Sequence, residues 1–226
     1  MGTITRTFAN NIATSGVFKP TAFNDASFDN VTAVPEGALP AGGNMVLLST
    51  QTASASASIS FTSGITSAYK EYLFIFNNIH PSTNGTDFNF NLSTDGGSNY
   101  NVTKTTTIFN AYHYENDSSS NLAYIASNDL AQSTAYQRIM TFGDLSNADD
   151  HALSGTMQLF NPSSTTYVKH FISTVSLAGG ADGTVQYENN DFMAGYGNTT
   201  SAVNAIDFKM SSGNIDDGTI QMFGIL

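Results

Sequence analysis

The stretch DFNFNLSTDGGS, residues 87–98, decides the fold class. Successive side chains of an extended strand point to opposite faces, so Phe88, Phe90 and Leu92 share one side and Asn89, Asn91 and Ser93 the other. A helical period would scatter the same residues around its axis. Asp95-Gly96-Gly97-Ser98 then supplies residues that tolerate the backbone of a tight turn. YNVTKTTTIFNAYHY, residues 100–114, is expected to run back as the return strand.

Outward from this point the same grammar recurs. EYLFIFN (71–77) is a nearly continuous apolar run, as expected of a strand covered on both faces. GTMQLFN (155–161) meets the turn NPSST (161–165), and residues 166–175 run back. Pro162 suits the first central turn position, where its fixed φ fits and no ladder donor is needed. Ile206, Phe208 and Met210 oppose Asp207 and Lys209; the turn GNIDDG (213–218) follows, and residues 219–225 close the chain. ASASAS (53–58) reads as a strand of small residues in register with the following Ile-Ser-Phe, with a flexible linker as the alternative. About ten strands are expected over residues 45–226, at the spacing of a two-sheet antiparallel sandwich, jelly-roll-like. The fold class is therefore all-β.

Residues 1–44 read differently. They hold three of the five prolines and show no sustained alternation, yet Ile12, Val17, Phe18, Phe23 and Phe28 are too many apolar side chains for a solvated tail. An extended attachment arm that buries its aromatics on another surface is expected, with residues 35–43 (PEGALPAGG) as linker into the sandwich.

Composition removes several functions. Seven Lys and Arg stand against 18 Asp and Glu, a net charge of −11, so no basic patch is available to neutralise phosphates and no nucleic acid is expected as partner. Charged residues are only 11% of the chain, about half the globular norm of roughly 25%. The absence of Cys removes disulfides, thiolate metal sites and Cys nucleophiles. No run of about 18 apolar residues occurs, so no membrane insertion is expected. MGTITRTFANN lacks the apolar core of a secretory signal, and Arg6 stands where a myristoylation motif requires Ser or Thr.

Candidate chemistry is sparse. His80, His113, His151 and His170 form no H-x-H or H-E-x-x-H pattern; His80 reads as loop chemistry before Pro81, and His170 as a strand-surface residue. Asp149-Asp150-His151 and Asp216-Asp217 are the dense acidic spots and read as separate turns in which Asp caps its own backbone. No D-x-D-x-D-G loop is present, so calcium is a minor alternative there and at Asp95-Gly96-Gly97. There is no G-x-S-x-G elbow, and Gly179-Gly180-Ala181-Asp182-Gly183 precedes a strand, not the helix of a phosphate loop. Carboxylate pairs for glycoside hydrolysis carry no specificity in so acidic a chain. No catalytic, cofactor-binding or metal-binding residue is assigned, and no enzyme or cofactor is expected. Tyr100, Tyr112, Tyr114, Tyr124, Tyr136, Tyr187 and Tyr196 lie among Asn, Ser and Thr, a combination suited to carbohydrate or protein recognition, although for any single one a half-buried strand position is the simpler reading.

ISFTSGITSAYKEYLFIFNNIHP (59–81), STDGGSNYN (93–101) and FKMSSGNIDDGTIQMFGIL (208–226) resemble segments of structural proteins of tailed bacteriophages of the marine and cyanobacterial type. The resemblance covers residues 45–226 and implies a non-enzymatic virion component, assembled in the host cytoplasm. It further implies a homo-oligomer, usually a trimer, whose residues 1–44 dock on other virion proteins. A tail fibre or spike contacting host-surface polysaccharide is the leading expectation. A capsid decoration protein or head fibre is the alternative, and a free lectin or carbohydrate-active enzyme the third.

Overall fold

The computed structural model describes residues 45–141, 145–180 and 185–226. The expected arm, residues 1–44, lies outside them, as do residues 181–183 of the 179–183 glycine stretch. The described residues form twelve strands: β1 (Met45–Thr52), β2 (Ile59–Phe61), β3 (Glu71–Pro81), β4 (Phe88–Ser93), β5 (Lys104–Tyr114), β6 (Ser120–Tyr124), β7 (Gln137–Arg138), β8 (Leu153–Phe160), β9 (Lys169–Gly179), β10 (Tyr187–Gly197), β11 (Ala205–Met210) and β12 (Ile215–Ile225). Between β6 and β7 lies one short 3-10 turn, Ala126–Asn128.

The strands build an all-β sandwich. An eight-stranded sheet of order β1-β12-β3-β8-β9-β10-β5-β6 faces a four-stranded sheet of order β2-β11-β4-β7. Paired strands run antiparallel throughout both sheets. Phe rings fill the gap. Phe208 of β11 touches Phe61, Phe74, Phe76 and Phe88 at centroid separations of 6.3, 5.5, 5.3 and 5.8 Å. Phe90 of β4 meets Phe171 of β9 edge-on at 5.1 Å. Such aromatic pairs add roughly 0.5–1.5 kcal/mol each beyond the apolar area they bury.

The 161–165 turn forms as expected: Ser164 N–H donates to Asn161 O at 3.0 Å, with Pro162 in the first central position and β8 pairing with β9 beyond it. Three local expectations need correction. The Asp95–Ser98 turn does form, with Gly96 and Gly97 at φ +74° and +90°, but it does not close a hairpin. β4 pairs with β11 and β7, whereas β5 pairs with β10 and β6, so the turn carries the chain from the small sheet to the large one. Residues 53–58 form no strand. They bend from β1 in one sheet to β2 in the other, with Ala55 at φ +48° and a single bridge, Ser56 to Ile215. The 213–218 segment likewise links sheets, and Asp216 and Asp217 belong to the irregular first part of β12, where its register on β3 shifts twice.

All six residues of β4 are buried, including Asn89, Asn91 and Ser93. Alternation identified the two faces correctly, but the polar face lies under the chain that follows: Asn91 Nδ2 donates to Tyr100 O at 2.6 Å and to Thr134 O at 3.0 Å. The opposite surprise is the outer face of the large sheet, where Phe109, Leu122, Tyr124, Ile172 and Phe192 are exposed. Phe109 and Phe192 sit in register across β5 and β10 and stack at 5.0 Å.

Truncating the ring that joins both sheets tests this description. Phe208→Ala should lower unfolding free energy by about 3–5 kcal/mol, while Ile172→Ala on the exposed face should cost under about 1 kcal/mol. Urea denaturation of the two variants checks it; equal losses would contradict the assigned core.

Candidate functional site

One polar pocket of about 510 Å³ gathers residues that are far apart in the chain: Asn78 and His80, Asp149 to Ala152, and Asp216 with Asp217. Antiparallel pairing explains the gathering. His80 lies near the end of β3, opposite Asp217 of β12, and Ile79 pairs with Leu153 at the start of β8. The acidic turn before β8 therefore falls beside the irregular start of β12. Bulges cluster at sites because they re-aim side chains, and here Asn78 takes φ +50° where the β3–β8 register shifts.

The two imidazoles are held differently. His80 Nε2 lies 3.1 Å from Ala148 O, and a carbonyl can only accept, so Nε2 carries a proton and, in the neutral ring, Nδ1 presents a lone pair. That Nδ1 faces Asp216 Oδ2 across 3.9 Å, too far for a hydrogen bond. His151 is only 3% exposed, its backbone N–H bonded to Ala148 O at 2.9 Å. Neither of its ring nitrogens has a hydrogen-bond partner, and Nε2 stands 3.9 Å from Asp150 Oδ1. An unpartnered buried polar group is costly, which marks this imidazole as the unusual member of the set.

Two sequence expectations meet here. Asp149-Asp150 is indeed a turn, and Asp217 Oδ1 caps Gly218 N–H at 2.7 Å, as capping chemistry predicts. What local reading missed is that the two acidic spots and His80 share one concavity. Asp95 keeps its turn role: Ser93 Oγ and the Asn99 side chain and backbone donate to it at 2.7–2.9 Å, led by the Asn99 side chain in holding its carboxyl down at about 2. Of the seven tyrosines, Tyr124 is exposed, Tyr187 is buried, and the others are half-buried. Tyr112, Tyr114 and Tyr187 pack together at the β5–β10 end.

His170 is exposed beside Tyr196, as its strand-surface reading expects. Both border a second, apolar hollow of about 460 Å³ on the outer face, with Ile172 and Ala194. Gly195 also lines it, and a Cβ there would press on the buried Thr106 and Phe171 side chains at 2.7 and 2.9 Å.

Inside the sandwich lies a polar network that alternation did not foretell. Lys104 Nζ donates to Asn91 Oδ1 and to Val102 O at 2.5 and 2.9 Å, and burial pushes its ammonium down to about 7. Asp191 accepts from Thr141 N–H at 3.1 Å and from Asn189 Nδ2 at 2.8 Å, and burial pushes its carboxyl up to about 6. Asn110 Nδ2 donates to Asn189 Oδ1 at 2.8 Å. Asp207, 3% exposed, accepts from Ser60 Oγ and Tyr136 OH. Lys104 and Asp191 thus find their partners within the interior and Asp207 on the other face of β11, while Asn110 Oδ1 is left without one.

Comparison with protein-family models, with curated proteins and with solved structures returns no match.

The network makes stability pH-dependent in two opposite senses. Between pH 7 and 10.5 the unfolded chain binds the Lys104 proton that the folded chain has released, so stability rises with pH through that window, and the burial penalty is fully present below it. Between pH 3.8 and 6 the folded chain keeps the Asp191 proton longer, so stability falls as pH rises there. Lys104→Met should flatten the upper slope and Asp191→Asn the lower one, measured as urea midpoints at successive pH values. An unchanged upper slope in Lys104→Met would show that Lys104 is not its source.

Proposed function

We propose that this chain is a non-enzymatic structural protein of a bacteriophage virion, of the tail-fibre or spike kind. Residues 1–44 dock on other virion proteins, and the sandwich projects outward to meet host-surface polysaccharide. The carrying observation is the polarity of the large sheet. The described chain enters at Met45, paired with Ile225 at the end of β12, whereas the polar pocket sits at the start of β12. Asp217 and Ile225 stand eight residues apart along β12, about 26 Å at a strand's rise of about 3.3 Å per residue. A particle held at the first end presents the pocket and its loops at the second. The phage assignment itself is carried by the sequence resemblance.

The exposed apolar face favours assembly as well. Monomers seldom leave stacked Phe rings and neighbouring Leu, Ile and Tyr side chains bare on one sheet face. A homo-oligomer, with a trimer as the expected form, would cover them. The same face supports the second reading, a capsid decoration protein that lies flat against its neighbours.

Removing residues 1–34 is expected to leave a soluble sandwich that no longer associates with particles; full retention would overturn the docking role. Copy number per particle, read by gel densitometry, separates the readings: a few tens fits a tail component, hundreds a decoration protein. Release of reducing sugar from host envelope polysaccharide by the purified protein would refute the non-enzymatic assignment.

A further inference from the structure

We infer that the pocket at the β3, β8 and β12 ends binds a divalent transition-metal cation, of the zinc or manganese kind, through His80, His151, Asp150 and Asp216. This goes beyond the proposed attachment role and does not depend on it.

The donor set comes first. Four carboxylates, from Asp149, Asp150, Asp216 and Asp217, and two imidazoles line the pocket, with no lysine or arginine among its lining residues. The field is therefore that of a cation site. Acidity alone would fit many solvated turns; the second observation is His151. Its ring is buried at the pocket wall with both nitrogens unpartnered, a state that a ligand on one nitrogen relieves.

The geometry of the pairs points the same way. His80 donates Nε2–H to a backbone carbonyl and turns Nδ1 into the pocket, the arrangement that fixes the tautomer of a metal-binding histidine. That lone pair then confronts Asp216 Oδ2 at 3.9 Å, and His151 Nε2 confronts Asp150 Oδ1 at the same separation. A cation seated between a ring nitrogen and the carboxylate facing it would be held by both. In a site with bonds of about 2.1 Å, neighbouring ligand atoms stand roughly 3.0–3.4 Å apart, so each pair needs to close by under about 1 Å and the two pairs must also move toward one another.

Among the described residues no three donors already converge on one point, so binding requires adjustment. The carboxylates can supply it: Asp149, Asp150 and Asp216 are exposed on a turn and an irregular strand start, and their side chains swing without disturbing the core. The imidazole ligands favour zinc over calcium, which prefers an all-oxygen shell, while the carboxylates also suit manganese.

Calorimetric titration of the full chain, stripped of metal by chelation, tests the inference with zinc, manganese and calcium chlorides. One site per chain is expected for zinc, with calcium at least tenfold weaker. His80→Gln and Asp216→Asn, both at the pocket mouth, should each weaken zinc at least tenfold while leaving the circular dichroism spectrum unchanged. His113→Gln, in β5 outside the pocket, where His113 pairs with Asp117, should leave the titration as it was. Should His151→Gln fail to fold, the two mouth variants still decide. Absence of zinc and manganese binding below millimolar concentration, or binding that survives His80→Gln with Asp216→Asn, would overturn the inference and leave both gaps to solvent.

Discussion

The contact of Phe208 with rings from both sheets is the constraint on which the structure depends. Phe61 and Phe88 approach it from its own sheet, Phe74 and Phe76 from the facing one. A strand's side chains alternate strictly, so seating this ring inward fixes which residues of β11 and its neighbours face the core. A one-residue slip would exchange them all. With β11 fixed, β3 is held against it, and β12 and β8 follow as its hydrogen-bonded neighbours. The polar pocket is the far consequence of that register, because it exists only where those three strands end together.

The unequal sheets explain the rest of the interior. Four strands cannot cover eight. Where the small sheet stops, the segment from Leu130 to Thr141 lies over β5 and β10 and must satisfy its own backbone there. Leu130 and Ser133 pair by backbone with Thr106 and Lys104 of β5, and side chains complete the rest. Thr106 Oγ1 accepts from Leu130 N–H and donates to Gln137 Oε1, and Asp191 accepts from Thr141 N–H. Lys104, Asn110 and Asn189 complete the same polar layer. The buried charges thus occur at the edge of the aromatic core, where irregular chain replaces strand.

Much of the architecture was legible in the sequence. The alternation at 87–94, the apolar run at 71–77 and the Pro162 turn each correspond to an observed strand or turn, because their causes are local: side-chain period and φ preference. Partner choice was not legible. The Gly-rich turn at 95–98 looks the same whether it closes a hairpin or crosses between sheets, and only the competition of β10 and β11 for hydrogen bonds decides. For the same reason the burial of Asn89, Asn91 and Ser93 had no local signal; Asn91 reaches the carbonyls of Tyr100 and Thr134, which come from outside its own strand. The pocket was legible only as its parts, with no local signal linking Asp149-Asp150-His151 to Asp216-Asp217 across 65 residues.

By itself, then, the sequence determined that this protein is all-β, that its strands alternate, and that few charges and abundant Phe and Tyr leave it much apolar surface to bury. These follow from composition and period, which act over a few residues. Tertiary structure alone decided which strands are neighbours, which polar faces are covered, and that two histidines and four aspartates meet at one end of the large sheet. Those outcomes depend on long-range pairing, where the energy of closing a distant contact is set by the whole core and not by the residues that make it.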